Sequence, residues 1–288
     1  MSLAGVTSET GMPVAPLTID LRGETTSARK LAREVWRARE LLVILARKDF
    51  QVRYRRASLG VLWALALPLL QAIVLAVVFS RVGHFRSVPG TSYTAFILTG
   101  MVPWAYFTLA LPSGSTAIVD NTDLSSKVYF PRPLLPLAQV LTSLYTYVIT
   151  LAIVLILCPV FGVGLGVNVL LVIPSSLLMI ALTAGFVLVD SALHVYFRDF
   201  KYMVSAALLV WMYLTPIIYS PSEAPHALRT VIDVNPMTGV VDLFRAATVG
   251  HVGSLVLPLA MALAWTVFLL VVGVALQCRF NRVFADLL

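Results

Sequence analysis

Residues 136–159 read PLAQVLTSLYTYVITLAIVLILCP and contain no charged side chain. A helix of about 20 predominantly apolar residues is long enough to cross the hydrocarbon core of a bilayer. A barrel strand needs only about 9–11 residues, so a run of this length favours a helix. The stretch therefore predicts a transmembrane helix.

Five further apolar runs surround this segment and account for much of the chain. The 288 residues are 59% hydrophobic and only 12% charged, whereas about 25% of the residues in a soluble domain are charged. We therefore predict an all-α polytopic membrane protein with six transmembrane helices. The six-span domain covers residues 57–288, and the other spans are predicted at residues 61–80, 93–112, 167–192, 203–219 and 254–277.

The distribution of cations predicts the orientation of these spans. Most of the 21 Lys and Arg residues precede the first span or lie in the connections after the second, fourth and sixth spans. Cations are enriched on the cytoplasmic side of membrane proteins. We therefore expect a multi-pass protein of the cytoplasmic (inner) membrane with both termini in the cytoplasm. The net charge of +7 then reflects the topology of the chain rather than nucleic-acid binding. Four cations would face outward: Arg81, Arg86, Arg229 and Arg245.

The segment before the first span predicts an amphipathic helix. Residues 1–28 form a polar tail, and residues 29–56 read RKLAREVWRARELLVILARKDFQVRYRR. Basic side chains there alternate with an apolar stripe, the pattern of a helix that lies in the membrane interface and faces anionic headgroups or an acidic partner. A simple positively charged anchor is the alternative. The stripe recurs every three or four positions, at Leu31, Val35, Ala38, Leu42 and Leu45.

The connection before the last span, residues 220–253, contains a helix start. Asn235 has the side chain of an N-cap, and Pro236 suits the first helical position. A helix from Pro236 to about Thr248 would be roughly 20 Å long, which is too short to cross the bilayer. Its apolar face predicts a re-entrant helix that enters the outer leaflet and returns. An ordinary surface helix is the alternative.

The connection between the second and third spans is rich in proline. Residues 127–136 read KVYFPRPLLP, and its three prolines predict a rigid extended chain. Tyr129 and Phe130 lie beside Lys127 and Arg132, residue types that are enriched at protein interfaces. The segment predicts a cytoplasmic docking element for a soluble partner. A stiff loop whose aromatic side chains anchor at the membrane interface is the alternative.

The sequence offers little enzyme chemistry. Asp120 and Asp123 resemble half of an aspartate-rich Mg²⁺-diphosphate site, but a second cluster is missing, so we favour a helix-capping or loop role. Asp190 lies within the fourth span and is either paired locally or involved in transport. The four histidines share no ligand spacing, so we expect no metal. No lysine follows a glycine, which excludes a GxxxxGK[ST] phosphate-binding loop, so any ATPase must be another chain.

Five stretches, in this order, resemble the permease subunits of type-2 ABC exporters that move lipid-linked polysaccharides such as O-antigen, capsule and teichoic acid. The resemblance extends from about residue 29 to the C-terminus, and Pro133 departs from it because a non-proline is more common there. The stretches are RKDFQVRYRRASLGVLWALALPLLQ (47–71), KVYFPRPLLPLAQV (127–140), FRDFKYM (197–203), TPIIYS (215–220) and NPMTGVVDLFR (235–245).

This resemblance implies a homodimer bound to two copies of a separate ATPase subunit, which carries ATP and Mg while this chain holds no cofactor. It also implies a coupling helix between spans two and three, an interfacial N-terminal helix and re-entrant helices before the last span. Residues assigned to ATPase coupling are Asp120, Asp123, Lys127, Tyr129, Phe130, Pro131 and Arg132. Those assigned to the re-entrant helix are Asn235, Pro236 and Arg245.

The resemblance leads to a hypothesis for the substrate path of a lipid-linked glycan. Cations of the N-terminal helix attract the lipid diphosphate, because Arg and Lys clusters favour multiply charged anions. The sugars then pass along aromatic surfaces between the subunits. The cations are Arg47, Lys48, Arg53, Arg55 and Arg56, and the aromatic candidates are Trp104, Tyr106, Phe107, Trp211 and Tyr213.

Two other functions fit the same sequence. A type-2 ABC exporter of a drug or small lipid differs in pore width, which the sequence does not report. A membrane-embedded polyprenyl-phosphate transferase is weakened by the missing carboxylate cluster, and catalytic activity of the purified chain alone would favour it.

Overall fold

The computed structural model describes residues 27–55, 60, 62–81, 92–122, 130–221, 224–250 and 254–280. Within these ranges the chain is helical and contains no strand. The described α-helices are α1 (Ala28–Arg37), α2 (Arg39–Tyr54), α3 (Leu62–Arg81), α4 (Tyr93–Asp120), α5 (Leu134–Leu157), α6 (Val172–Tyr196), α7 (Phe200–Leu214), α8 (His226–Val234), α9 (Pro236–Thr248) and α10 (Val256–Phe280).

Four of the described helical segments are long and apolar enough to cross a membrane: Tyr93–Asp120, Leu134–Phe161, Val167–Tyr196 and Val256–Arg279. The second and third include short 3₁₀ turns beside the connection that joins them. These segments confirm the all-α polytopic class. Helices α3 and α7 occupy the positions predicted for the first and fifth spans, and the total of six spans stays a prediction.

Helix α7 ends earlier than the predicted fifth span. It runs from Phe200 to Leu214, whereas the prediction extended to residue 219. Pro216 explains the early end, because proline lacks an N–H donor and disfavours the helical conformation of the residue before it. Thr215 is accordingly extended, with a ψ of 132°. Fifteen residues cover about 22 Å, less than the roughly 30 Å of a hydrocarbon core.

Helix α4 lies at the centre of the described bundle. It contacts α3, α5, α6, α7 and α9, and α6 packs along α10 on its other side. Three of its large side chains, Phe96, Phe107 and Ile118, are fully buried. Because α4 touches so many elements, its residues face both the core and the cavities described below.

The predicted N-terminal helix is two helices, α1 and α2, which meet at Ala38. Its apolar stripe packs against protein. Leu45 is buried in a cluster with Ala117 of α4 and Leu134, Leu135 and Ala138 of α5, and Val35 and Leu42 pack on this cluster. Helix α2 therefore lies against the ends of α4 and α5 in this subunit. Its position in the membrane interface stays a prediction.

Candidate functional site

Asn235 joins the end of α7 to the start of α9. Its Oδ1 accepts hydrogen bonds from the Met237 backbone N–H at 3.0 Å and from Trp211 Nε1 at 2.9 Å. Its Nδ2 donates to the Leu214 carbonyl at 3.2 Å and to Thr215 Oγ1 at 3.0 Å. The predicted N-cap is present, and the same side chain also satisfies the Leu214 carbonyl at the end of α7.

Helix α9 is buried along its whole length of 13 residues, from Pro236 to Thr248, which excludes an ordinary surface helix. The Arg245 side chain is 0% exposed, and its position on the outer side of the membrane stays a prediction. Its guanidinium donates to the carbonyl oxygens of Pro216, Ile217 and Phe96, and it lies 3.7 Å from the centre of the Phe96 ring. Arg245 therefore connects α9 to α4 and to the turn after α7.

The aromatic channel candidates separate into different environments. Phe107 is fully buried, with its ring centre 5.6 Å from that of Phe186 and 5.3 Å from that of Trp211. Phe107 therefore belongs to the core of the subunit, which contradicts its expected place on a sugar-contacting surface. Trp211 completes the same cluster, whereas Tyr213 is 61% exposed on another face of α7.

Trp104 and Tyr106 line a cavity of about 320 Å³, which we call the aromatic cavity. Helices α2, α3, α4 and α5 form its walls. Its lining combines five aromatic side chains with polar groups from α2, α4 and α5. The residues are Arg53, Tyr54, Trp63, Gln71, Met101, Val102, Trp104, Ala105, Tyr106, Thr108, Leu109, Ser143, Thr146, Tyr147 and Thr150.

One of the predicted lipid-diphosphate cations reaches this cavity. Arg53 is half-buried and lines the aromatic cavity, whereas Arg47, Lys48 and Arg55 are exposed. Arg56 lies outside the described residues. The structure thus brings one predicted cation together with two predicted channel aromatics, Trp104 and Tyr106, which are distant in sequence.

Ser143 is a cavity residue that the sequence analysis missed. It is 0% exposed, lines the aromatic cavity, and its Oγ has no hydrogen-bond partner within the described part of the chain. The available signal was a hydroxyl in the middle of the apolar run 136–159. That signal is weak, because many serines in transmembrane helices donate to their own backbone, as Ser113 donates to the Leu109 carbonyl.

A second cavity of about 400 Å³, the polar cavity, adjoins the end of α4 and shares Arg53 with the first. Gln139 Nε2 donates to Asp49 Oδ2 at 2.6 Å in its wall. Asp120, assigned to coupling, also lines it. The complete lining is Asp49, Val52, Arg53, Ser113, Thr116, Ala117, Asp120, Asn121 and Gln139.

The comparison with known proteins decides the family. The ABC-2 type transporter family matches residues 40–249, more than half of the chain. The chain belongs to the ABC-2 type transporter family. This result confirms the resemblance found in the sequence.

Several named relatives of this ABC-2 protein are polysaccharide permeases. It is 30% identical over 224 residues to the O-antigen export system permease protein RfbA of Myxococcus xanthus, covering 77% of this chain and 85% of the relative. It is 29% identical over 251 residues to a protein of the same name from Klebsiella pneumoniae, covering 86% and 95%. The polysialic acid transport protein KpsM of Escherichia coli is 23% identical over 234 residues, covering 80% and 89%.

The coupling segment of this ABC-2 protein is described in part. Asp123, Lys127 and Tyr129 lie outside the described residues. The expectation that Phe130 is presented to a partner is wrong, because its side chain is buried against Leu45, Leu134 and the rest of that cluster. Burying the apolar Phe130 side chain against Leu45 of α2 is more favourable than leaving it exposed at the surface.

The prolines after Phe130 also behave differently from the prediction. Residues 132–133 form a turn rather than an extended chain, and the Leu134 N–H donates to the Pro131 carbonyl at 3.0 Å. Pro136 lies in the first turn of α5, where a missing N–H breaks no helical hydrogen bond. Arg132 is half-buried at this turn, and burial lowers the pKa of its guanidinium from the ordinary value.

Asp190 is buried in α6, 7% exposed. The sequence left open local pairing with His194 or Arg198, and no such contact is present among the described residues. His194 is also buried, and its Nδ1 has no hydrogen-bond partner in the described chain. The structure therefore places Asp190 inside the bundle, away from the aromatic cavity lining.

Proposed function

We propose that this chain is the transmembrane subunit of an ATP-driven exporter that moves a lipid-linked polysaccharide from the cytoplasmic to the outer side of the cytoplasmic membrane. The observation that carries the proposal is the similarity, over most of both chains, to permeases named for O-antigen export. A relative named for polysialic acid transport gives further support. Family membership supports the transport class, and these names support the polysaccharide.

The aromatic cavity is consistent with a glycan substrate. Ligand sites combine apolar and aromatic walls with a few placed polar groups. Trp63, Trp104 and Tyr147 contribute such walls, and Arg53 contributes a positive charge. Among its described lining residues the cavity has no Asp or Glu, so it favours an anionic group over a cationic one.

The proposed assembly contains two copies of this chain and two copies of a separate ATPase subunit, which binds ATP and Mg. ATP-driven closure of the ATPase pair would act on the segment Asp120–Arg132 at the end of α4. Phe130 packs against α2 and α5, so movement of this segment would reach both helices. The same two helices contribute Arg53 and Ser143 to the aromatic cavity, which supports a mechanical connection between ATPase and substrate.

Reconstitution with the ATPase encoded beside the gene tests this proposal. The chain and the ATPase are co-purified and placed in lipid, and ATP hydrolysis is measured with and without a lipid-linked glycan. We expect a stable complex whose hydrolysis rate responds to the glycan. A complex containing an ATPase variant that binds but does not hydrolyse ATP is the control for contaminating activity.

Two results would contradict the proposal in different ways. A complex that responds to small amphiphiles but not to any lipid-linked glycan would indicate an exporter of a drug or small lipid. A chain that binds no ATPase and modifies a polyprenyl phosphate by itself would indicate a transferase.

A further inference from the structure

We infer that the connection between α5 and α6 inserts its exposed apolar side chains among the lipids of the outer leaflet. We define this connection, residues 158–171, as the outer tip. Its partner is the lipid surface itself, rather than water or another protein. The inference goes beyond the proposed function, because it concerns the membrane around the chain and applies to any cargo. It uses the orientation that the cations predict, which places this connection on the outer side.

The outer tip differs from the other predicted outer connections in charge. It reads CPVFGVGLGVNVLL, and the whole stretch 133–189 contains no Asp, Glu, Lys, Arg or His. In contrast, the connection 82–92 contains Arg86, and the connection 220–253 contains several acidic and basic side chains. Charged side chains are costly inside a bilayer. An outer connection without any charge therefore has the composition of a segment that stays in lipid.

The apolar side chains of the outer tip point away from the rest of the subunit. Val160 is 75% exposed and Val167 is 82% exposed. Apolar surface of this kind loses free energy when it stays in water, and exposed apolar patches mark contacts with proteins or membranes. The exposed side chains of the tip are Pro159, Val160, Leu165, Val167, Asn168, Leu170 and Leu171.

These side chains suit acyl chains better than a protein surface. All of them except Asn168 are aliphatic, whereas the residues that carry the energy of protein interfaces are enriched in Trp, Tyr and Arg. Aliphatic side chains need only an apolar environment without a defined shape. The lipid chains of the outer leaflet provide this environment.

The length of α5 places the outer tip at the depth of the outer leaflet. The helix has 24 residues, from Leu134 to Leu157, and therefore extends over about 36 Å. The hydrocarbon core is about 30 Å thick, and the bilayer with its headgroups is about 40–45 Å thick. Because Arg132 marks the cytoplasmic end of α5, the outer tip reaches the boundary between the outer headgroups and the acyl chains. A tilt of α5 would bring it deeper.

The outer tip is folded back onto the subunit. Its second 3₁₀ turn, Val167–Leu171, packs against α9, and its first, Cys158–Phe161, packs against α4. Val163 lies between the two turns, is 3% exposed and belongs to the same core as Val240 of α9. The tip therefore lies beside α9, the helix that is predicted to enter the outer leaflet, and the two share one depth.

Backbone groups at the bend are bonded to the protein. The Gly162 N–H donates to the Pro159 carbonyl at 3.1 Å, and Ser92 Oγ donates to the Phe161 carbonyl at 3.1 Å. Gly162 has a φ of 79°, so the chain reverses in a conformation that glycine adopts without strain. Within lipid, backbone polar groups need partners from the protein. These contacts allow the bend to lie at the edge of the acyl chains.

Spin labels test where the outer tip lies. The full chain is placed in phosphatidylcholine nanodiscs with a nitroxide at Val167→Cys or Val160→Cys. Cys278 is replaced by serine, the buried Cys158 is kept, and the signal of this background is subtracted. Power saturation then compares collisions with oxygen, which concentrates in acyl chains, and with a water-soluble nickel chelate.

Two control positions define the scale of this measurement. A label at Val148→Cys, which is 54% exposed on α5, reports the acyl chains, and a label at Arg198→Cys, exposed after α6, reports water. We expect both tip labels to resemble the Val148 label, with more collisions with oxygen than with nickel. Tip labels that resemble the Arg198 label would place the tip in water. Labels shielded from both agents would mean that a second copy or another protein covers the tip, and either result overturns the inference.

A pair of variants at Val167 gives a second test. A label at Leu170→Cys is measured in Val167→Asp and in Val167→Leu. An aspartate moves an inserted tip toward water, so we expect nickel accessibility at Leu170 to rise at least about twofold, whereas Val167→Leu leaves it unchanged. Because the Val167 side chain is 82% exposed, both variants should match the wild type in melting temperature in detergent. Equal nickel accessibility in the two variants would contradict insertion.

This inference and the proposed function fail separately. If the tip labels report acyl chains but no lipid-linked glycan changes ATP hydrolysis, insertion stands and the exporter proposal fails. If the glycan stimulates hydrolysis while the tip labels report water, the exporter proposal stands and insertion is wrong.

Discussion

Arg245 Nη2 donates to the carbonyl oxygen of Ile217 at 2.7 Å and so connects α9 to the turn that follows α7. Pro216 makes this contact necessary, because it ends α7 and leaves carbonyl groups without helical partners. In a lipid environment such groups must be satisfied by the protein itself. Arg245 satisfies the carbonyls of Pro216 and Ile217, and reaches that of Phe96, from one side chain.

Replacing Arg245 should therefore destabilise the subunit strongly. We expect Arg245→Gln to lower the free energy of unfolding by at least about 3 kcal/mol, since two or more buried carbonyls lose their donor. SDS titration of the purified chain, followed by circular dichroism, measures this change. Arg198→Gln at an exposed position is the control and should change the free energy by less than about 1 kcal/mol. Equal effects of the two variants would contradict the role of Arg245.

Gly100 provides the space that Arg245 occupies. A Cβ at position 100 would lie 2.7 Å from Arg245 Nη2, which its carbonyl partners hold in place. We expect Gly100→Ala to lower the free energy of unfolding by about 1–3 kcal/mol through overpacking. Gly164→Ala is the matched control, because nothing lies within 4 Å of its added Cβ. A stable Gly100→Ala variant would show that the guanidinium moves without cost.

Asn235 should contribute more than a typical helix cap. Asn235→Ala removes two accepted and two donated hydrogen bonds, so we expect a loss of about 2–4 kcal/mol in the free energy of unfolding. Trp211→Phe removes one donor of this network and should cost about 1–2 kcal/mol. The same unfolding titration measures both variants. An equal loss of free energy of unfolding would mean that the packing of Trp211, rather than the hydrogen bonds of Asn235, dominates the contact between α7 and α9.

Phe130 should act through packing rather than through direct contact with the ATPase. We expect Phe130→Ala to lower the free energy of unfolding by about 3 kcal/mol, because the side chain fills a buried cluster. Phe130→Leu should cost less than about 1.5 kcal/mol and retain binding of the ATPase. Unfolding titration and co-purification are measured on both variants. Loss of the ATPase from a stably folded Phe130→Leu variant would restore the docking role.

Phe107 and Tyr213 should respond in opposite ways, although both were candidates for the sugar path. Phe107→Ala opens a void in the ring cluster with Phe186 and Trp211, so we expect a loss of about 3–5 kcal/mol. Tyr213→Ala removes a side chain that is 61% exposed in the subunit and should change stability little. Export is then measured per folded complex. Reduced export by Tyr213→Ala at normal stability would support its place on a sugar-contacting surface.

The class of the protein, the four helices that are long and apolar enough to cross a membrane, and the start of α9 follow from local patterns. A long apolar run, as in residues 136–159, predicts a membrane helix because lipid requires every backbone polar group to be satisfied within the segment. Asn235 followed by Pro236 predicts a helix start because both residues act on neighbouring backbone atoms. These effects extend over a few residues, so the sequence alone determines them.

Only the tertiary structure decided which side chains face one another. The sequence indicates only that Arg245 is a cation in the connection before the last span. Its hydrogen-bond partners lie 28 to 149 residues away and hold it inside the bundle. Arg53 is one of several similar cations, and only the packing of α2 against α5 places it in the lining of the aromatic cavity. Burial and hydrogen bonding of these residues depend on packing between distant helices, and packing depends on the shapes of several surfaces at once, which no local pattern contains.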